Sequence, residues 1–200
     1  MTTVVVSETF ASATNFTNVV GTLAAVSGHL QPNTAAADAM GHANTDMPSD
    51  DHYVEAVMVA DATTDTFNTI LARWNGLGQF DTNASYYGVK RNFNVLQLVR
   101  KAVGGSETLL AGFGSVVPHP GTYTLRLEVV GDQISVRLNG TLQGTSPYTD
   151  TAVTSGNKVG VLMYNQTNAA DVRFDTFEAG VFVPAPGRLP NRRHRALLIR

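Results

Sequence analysis

The chain has 200 residues, with 14 basic and 16 acidic side chains, a formal net charge of −2 and no cysteine. The lack of cysteine excludes disulfides, thiolate nucleophiles and cysteine-ligated zinc sites. No run approaches the roughly 20 apolar residues of a membrane-spanning helix, and no basic segment precedes an apolar run near Met1, so we expect neither membrane insertion nor a classical signal peptide.

In chain order, the predicted elements begin with short strands and turns. Gly28 lies between two short apolar runs and predicts the turn of a hairpin. Residues 32–52 are rich in Ala, Asn, Asp and Pro, and they predict a long loop with one helical turn over residues 34–40. The alternating apolar residues of 52–61 then predict a strand.

Strand-like segments continue from residue 68 to residue 183. They are NTILARWN, YYGVKRN, NVLQLVRKA, ETLLAGF, KVGVLMYN and DVRFDTFEAGVFV. With the earlier segments and the hairpin described next, they predict about ten to thirteen short strands and almost no helix. Turn signals about every ten residues are typical of a β-sandwich or barrel.

The clearest single element is a hairpin within Tyr123–Gln143. Every second residue is apolar from Leu125 to Val129 and again from Ile134 to Leu138, with Gly-Asp between the two runs. The Asn139-Gly140 pair suits a type I′ turn, so a third short strand is predicted to begin at Thr141. This alternation is typical of an antiparallel sheet with one buried face and one solvated face.

Proline and glycine interrupt regular structure after residue 183, so we expect a domain over residues 1–183 and an extended arm over residues 184–200. All acidic residues precede the arm, which combines arginines with aliphatic residues. This combination suits docking to a protein surface, and a solubilising tail is the alternative. Nucleic-acid binding would require more charge and interleaved aromatic residues. The predicted docking residues are Arg188, Arg192, Arg193, Arg195, Leu197, Leu198, Ile199 and Arg200.

The order of these segments carries a resemblance to a known family. Its most specific part is an alternating strand, Gly-Asp, a second alternating strand and Asn-Gly, followed by GNKVGV and a final Phe-Asp-x-Phe strand. Over residues 7–180 the chain resembles the concanavalin A-like lectin/glucanase superfamily, and within it the laminin-G-like jelly rolls. The resemblance implies an all-β sandwich of two antiparallel sheets, one of them concave. It implies no particular activity, since this fold hosts lectins, hydrolases and structural modules.

The sequence lacks two catalytic patterns that would indicate a hydrolase. Glucanases of this superfamily carry Glu-x-Asp-x-x-Glu on one strand, because retaining hydrolysis needs two carboxyl groups about 5 Å apart. The chain lacks that pattern: Asp171, Asp175 and Glu178 have a different spacing and are predicted to be surface or turn carboxylates. It also lacks the Gly-x-Ser-x-Gly elbow of serine hydrolases. We therefore predict that the protein is not an enzyme.

Metal-binding patterns are weak. The five histidines show neither the i, i+4 spacing nor the glutamate-bracketed spacing of metal ligands. They are His29, His42, His52, His119 and His194. A loop containing Asp46, Asp50 and Asp51 beside His52 suggests a metal-facing loop, but solvated acids are the favoured interpretation. We predict no cofactor and no metal site; calcium, which laminin-G-like relatives often bind, is an alternative without assigned ligands.

Sugar binding requires an aromatic surface flanked by polar side chains. The candidate carbohydrate-binding residues are Trp74, Asn75, Tyr86 and Tyr87. Gln79 lies in the same region and adds an amide. The same aromatic residues suit the edge of a sandwich core equally well, so packing is the alternative interpretation.

The first functional hypothesis is a non-enzymatic module on the surface of a tailed-phage virion, as a capsid decoration or minor tail protein docked through the arm. Its expected partners are capsid or tail proteins and host cell-surface glycans, and a homotrimer is the expected oligomer. The alternatives are a free carbohydrate-binding module and, with less support, a glycoside hydrolase. The virion location rests on analogy with proteins that resemble the same superfamily.

Overall fold

The computed structural model describes residues 1–61, 66–165 and 167–183. These residues form sixteen strands and no helix, so none of them builds an apolar helix of membrane-spanning length. In chain order the strands are β1 Thr2–Glu8, β2 Phe16–Val20, β3 Leu23–Val26, β4 His29–Pro32, β5 Asp38–Ala43, β6 His52–Ala60, β7 Thr66–Trp74, β8 Tyr86–Asn92, β9 Val95–Lys101, β10 Glu107–Gly112, β11 Gly121–Val130, β12 Gln133–Leu138, β13 Thr141–Leu142, β14 Tyr148–Thr149, β15 Lys158–Asn165 and β16 Val172–Phe182.

The strands form two antiparallel sheets. The nine-stranded sheet has the order β13-β12-β11-β6-β16-β4-β3, with β1 also pairing with β16 and β14 with β12. The seven-stranded sheet has the order β10-β9-β8-β7-β15-β5-β2. Non-consecutive neighbours such as β6 and β16 bring distant parts of the chain together. The predicted all-β jelly-roll sandwich is confirmed.

The main hydrophobic core lies between the two sheets. Because side chains alternate along a strand, every second residue of each central strand faces this core. Val54, Ala56 and Met58 of β6 are buried there, as are Ile70 and Ala72 of β7. Both sheets therefore contribute one apolar face to a single shared interior.

The hairpins predicted from the sequence are confirmed. Residues Gly121–Val130 and Gln133–Leu138 pair as β11 and β12, and β13 begins at Thr141 as expected. Gly28 lies between β3 and β4 with a φ of +79°. In both places alternation and turn chemistry agree, and local sequence is sufficient to define the element.

The long loop predicted for residues 32–52 is wrong in its central part. Residues Asp38–Ala43 form β5, which pairs with β15 on one side and β2 on the other. Small alanine side chains obscure the alternation in this segment, and no helical turn forms where one was expected. The strand is defined by its two neighbours, which lie far away in sequence. The predicted arm, residues 184–200, lies outside the described residues.

The turn between β12 and β13 provides a test of backbone conformation. Gly140 has a φ of +78°, which an L side chain adopts only with strain, and an added Cβ would meet no atom within 4 Å. We expect Gly140→Ala to lower the free energy of unfolding by about 1–2 kcal/mol. Urea denaturation measures this change.

Gly112→Ala is the matched control, because Gly112 has equal space but no positive φ. We expect its free energy of unfolding to equal that of the wild type or to exceed it slightly. Equal losses in the two variants would contradict the conformational explanation.

Candidate functional site

A β-bulge at Arg73 interrupts the alternation of β7. Ile70 and Ala72 face the main core, and Leu71 faces outward. Arg73 has a φ of +45°, and the pairing of β7 with β15 shifts register at this point. As a result Arg73 is buried at one end of the sandwich, while Trp74 joins Leu71 on the outer face of the seven-stranded sheet.

This outer face carries a second apolar cluster, which we call the outer cluster. Its members are fully buried although they point away from the main core. They are Met40, Leu71, Trp74, Tyr86 and Leu162. Their burial requires a cover, because the opposite sheet packs only on the inner face.

The cover is the connection between β7 and β8, residues 75–85, which we call the roof loop. The Trp74 indole Nε1 donates a hydrogen bond of 2.8 Å to the carbonyl of Leu77. Gly78 lies so close to β2 that an added Cβ would be 2.9 Å from the Val20 side chain. Gln79 hydrogen-bonds the Asp38 carboxylate of β5. The roof loop therefore crosses the sheet from β7 towards β2.

Burial raises the pKa of Asp38, and the Gln79 hydrogen bond and the charge of Lys90 offset part of that increase. This carboxylate is thus already engaged by the roof loop and is partly withdrawn from water.

Asn75 holds the two ends of the roof loop together. Its amide Nδ2 donates to the carbonyl of Asn83 at 2.7 Å, and its Oδ1 accepts the backbone N–H of Ser85 at 3.2 Å. The N–H of Gly104 donates to the carbonyl of Thr82 at 2.6 Å, which ties the loop to the turn between β9 and β10. Polar groups on both sides thus fix the position of the loop.

A cleft of about 440 Å3 lies between the roof loop and the β9–β10 turn, and we call it the platform cleft. Phe80 forms part of its wall and is 76% exposed. The polar side chains that line it come from the loop, from three strands and from the turn. They are Gln79, Thr82, Tyr86, Lys90, Lys101, Ser106 and Glu107.

Glu107 organises one side of the platform cleft. Its Oε1 accepts a 2.8 Å hydrogen bond from the Lys90 ammonium, and its Oε2 accepts a 3.1 Å hydrogen bond from the Tyr86 hydroxyl. Burial, together with the neighbouring carboxylate, raises the pKa of Tyr86 far above its ordinary value. The phenol therefore keeps its proton and remains a donor at physiological pH.

A second cleft, of about 450 Å3, lies at the end of the sandwich where Arg73 is buried, and we call it the end cleft. Arg73 donates through Nε to the carbonyl of Asp50 at 2.8 Å and through Nη2 to Asp51 Oδ1 at 3.1 Å. Asp51 Oδ1 also accepts the N–H of Gly131 at 2.7 Å, and Asp50 Oδ1 accepts the N–H of Gly156 at 3.0 Å. These contacts connect the loops at this end of the two sheets.

Asp150, at the edge of the end cleft, is fixed in the same way. Burial alone would raise its pKa, but the hydrogen bonds from Ala152 and Tyr87 and the charge of Arg100 outweigh burial and lower it. The Arg100 guanidinium donates to its Oδ2 at 2.6 Å. None of the described residues lining this cleft is aromatic. Its charged groups are thus engaged in holding loops rather than in presenting a sugar-binding surface.

The loop acids considered for metal binding also have protein partners. Asp46 pairs with Lys158 and accepts a hydrogen bond from Asn157. Within residues 1–61, 66–165 and 167–183, no group of three His, Asp or Glu side chains is arranged to hold a metal ion. The acids of β16 are engaged as well: Glu178 accepts a 2.6 Å hydrogen bond from Tyr53, and Asp175 lies 3.7 Å from His29.

The predicted sugar-binding residues do not form an exposed surface. Trp74, Tyr86 and Tyr87 are buried, and Tyr87 faces the main core with its hydroxyl on Asp150. Burial, followed by that hydrogen bond, raises the pKa of Tyr87 to about 12. Asn75 acts as the clamp of the roof loop. The three rings therefore pack in the interior, as the alternative interpretation expects, and do not offer an exposed aromatic surface, although Tyr86 also lines the platform cleft.

Sequence reasoning missed the exposed ring and most of the charged groups. Phe80 lies on the roof loop, Lys101 at the end of β9 and Glu107 at the start of the edge strand β10, and no sequence motif connects the three. The alternation of YYGVKRN did carry a usable signal, because it places Tyr86 and Lys90 on one face of β8. Glu107 joins them only through the pairing of β10 with β9, which cannot be read from one segment.

Comparisons with known proteins agree on the fold. No model of a known protein family matches the chain, and no curated protein matches it. Among solved structures, the chain is similar to a protein of unknown function with a galectin-like fold from Bacillus subtilis, at a TM-score of 0.65 and 13% identity, covering 92% of this chain and all of that one.

Two other solved structures have comparable similarity. Carbohydrate-binding module CBM66 from Bacillus subtilis matches at a TM-score of 0.60 and 16% identity, covering 84% of this chain and 92% of that one. A Bacillus licheniformis β-glucanase matches at a TM-score of 0.62 and 9% identity, covering 89% and 98%. The chain thus has the concanavalin A-like or galectin-like jelly-roll fold, which is shared by binding modules and by enzymes.

His52 makes the end cleft sensitive to acid. It is fully buried, its Nδ1 contacts the carbonyl of Ser49 at 2.8 Å, and its Nε2 accepts the N–H of Arg73 at 3.0 Å. Burial, followed by the charge of Arg73, lowers its pKa, although the Ser49 contact and the charges of Asp50 and Asp51 oppose this change. The folded state therefore binds fewer protons than the unfolded state below pH about 6.5.

We expect the contribution of His52 to the free energy of unfolding to be fully present above that pH. The free energy of unfolding should fall as the pH is lowered from 7 to 5. Because His52→Gln cannot gain a proton, we expect it to show a shallower fall over the same interval. Urea denaturation at several pH values measures both slopes. Identical slopes in the two proteins would contradict this role of His52.

Proposed function

We propose that the protein is a non-enzymatic carbohydrate-binding module and that the platform cleft holds the sugar. The observation that carries this proposal is the exposed ring of Phe80 beside a preformed cleft with fixed polar groups. An aromatic side chain in the wall of a cleft that also holds a few fixed polar groups is typical of a ligand-binding site.

The chemistry of the cleft suits a sugar. The apolar face of a pyranose ring stacks on an aromatic side chain, and its hydroxyl groups require donors and acceptors around the ring. Gln79, Thr82 and Ser106 offer such groups on the loop and turn that form the walls. The Glu107 carboxylate and its two donors are held by strands, so the polar groups are positioned before a ligand binds.

The fold comparisons support a glycan ligand in a general way. A carbohydrate-binding module and a β-glucanase have sandwiches of similar fold, and the match with a protein of galectin-like fold covers 92% of this chain. At these identities the similarity is one of fold. The assignment of the ligand to this chain rests on the platform cleft itself.

We propose binding without hydrolysis because glycoside hydrolysis needs a pair of carboxyl groups, one of them a proton donor. Glu107 is the one carboxylate among the described residues that line the platform cleft, and both of its oxygens accept hydrogen bonds. The described lining of the cleft therefore lacks the second carboxyl group that hydrolysis needs. Release of reducing sugars from a β-glucan would contradict this part of the proposal.

The virion location and the docking role of residues 184–200 stay predictions from the sequence, as does the trimer. These predictions concern the assembly to which the module attaches, whereas the proposal for the platform cleft concerns its ligand. A role in attaching a particle to host glycans is compatible with both.

We expect Phe80→Ala to weaken binding of any glycan that the wild type selects on a glycan array by about tenfold, because the stacking surface is lost. Isothermal titration calorimetry with the selected glycan measures the change. The thermal unfolding midpoint should stay the same, since Phe80 is largely exposed.

Phe93→Ala is the matched control: Phe93 is also exposed, at 44%, and does not line the platform cleft. We expect it to retain wild-type affinity. Unchanged binding by Phe80→Ala, or equal losses in both variants, would overturn the assignment of the site.

A further inference from the structure

Lys101 is a buried cation in the wall of the platform cleft. It is only 6% exposed, and its Nζ donates a 2.9 Å hydrogen bond to the carbonyl of Gly105. An ammonium group has three N–H donors. Across the described part of the chain, no other hydrogen bond and no carboxylate within salt-bridge distance engages this group. Within the described residues, the Lys101 ammonium therefore has N–H donors that no protein group accepts.

Glu107 does not neutralise Lys101, although the two residues are directly opposite each other in the pairing of β10 with β9. One carboxylate oxygen of Glu107 accepts from Lys90 and the other accepts from Tyr86. The described lining thus contains two ammonium groups and one carboxylate, and the carboxylate is already paired. The positive charge that remains is that of Lys101.

A charge removed from water without an ionic partner is unfavourable, and a bound anion would compensate it. A charge-assisted hydrogen bond is also stronger than a neutral one and adds to the selectivity of a site. An anionic group on a ligand in this cleft would therefore gain more than a hydroxyl in the same place.

We propose that the platform cleft is selective for anionic sugars, with the Lys101 ammonium binding a carboxylate or sulfate group while Phe80 stacks on the sugar ring. This inference rests on the proposed function and specifies its ligand class. Lys101 and Phe80 line the same cleft of about 440 Å3, so one bound oligosaccharide can contact both.

The end cleft provides a contrast in charge within the same molecule. Arg73 lies in that cleft but is surrounded by acceptors, including Asp51 and the carbonyls of Asp50 and Val153. It therefore needs no anion from a ligand. The anion selectivity is specific to the platform cleft.

The experiment uses the full chain on an array of neutral, uronate-bearing and sulfated oligosaccharides, followed by calorimetry. We expect anionic glycans to bind at least tenfold more tightly than neutral ones, because a charged hydrogen bond contributes about 1.5–3 kcal/mol. The methyl ester of a selected uronate glycan should lose this advantage. Separate uronate and sulfate arms identify which anion is recognised.

Lys101→Met removes the charge at nearly constant length and should reduce affinity for the anionic glycan about tenfold or more. Lys158→Met is the matched control. Lys158 lies on the same seven-stranded sheet, pairs with Asp46 and does not line the platform cleft. We expect that variant to bind as the wild type does.

A measurement on the wild type covers the case in which Lys101→Met does not fold. In an NMR titration with the anionic glycan, the amides of Gly104, Gly105 and Ser106 should shift more than the amides of the end cleft. Shifts confined to the end cleft would overturn the assignment to Lys101.

The outcomes separate the two proposals. Equal affinity for neutral and anionic glycans at the platform cleft would overturn the anion selectivity and leave the sugar-binding function intact. Wild-type affinity of Lys101→Met for the anionic glycan would overturn the role of Lys101. Failure to bind any glycan on the array would overturn both proposals.

Discussion

The bulge at Arg73 is the constraint on which both clefts depend. Regular alternation along β7 would place Trp74 in the main core with Ile70 and Ala72. The left-handed conformation of Arg73 instead turns the guanidinium into the end of the sandwich and the indole onto the outer face. Gly156 packs against this bulge, where an added Cβ would lie 2.2 Å from the carbonyl oxygen of Arg73. One residue thus sets the positions of a buried charge and a buried ring.

The position of Trp74 determines what the outer face can do. The ring packs over Gly160, where an added Cβ would be 2.8 Å from it, and against the edge of His42. The roof loop then closes over the ring, which leaves Phe80 exposed beside Lys90, Lys101 and Glu107. The two clefts differ in how their charges are used: those of the end cleft hold loops together, whereas the Lys101 ammonium donates, among the described residues, to the Gly105 carbonyl alone.

Much of the fold could be predicted from the sequence, but little of the candidate site could. Hairpins such as β11–β12 are defined by local alternation and by turn residues, which a single segment contains. β5 was missed because its alternation is hidden by alanines and its pairing partners are remote. The aromatic residues around Trp74 suggested the correct region, but the bulge that reverses their orientation has no local signature, since most residues at φ > 0 are glycines.

The proposed site requires the roof loop to be fixed before a ligand arrives, and amide hydrogen exchange of the free protein measures this directly. The N–H groups of Asn75, Ser85 and Gly104 are hydrogen-bonded across the loop and to the β9–β10 turn. We expect these amides to be protected to a degree similar to the amides of β7 and β8. Exchange at the rate of an unstructured chain would show that Phe80 has no fixed position and would contradict the preformed cleft.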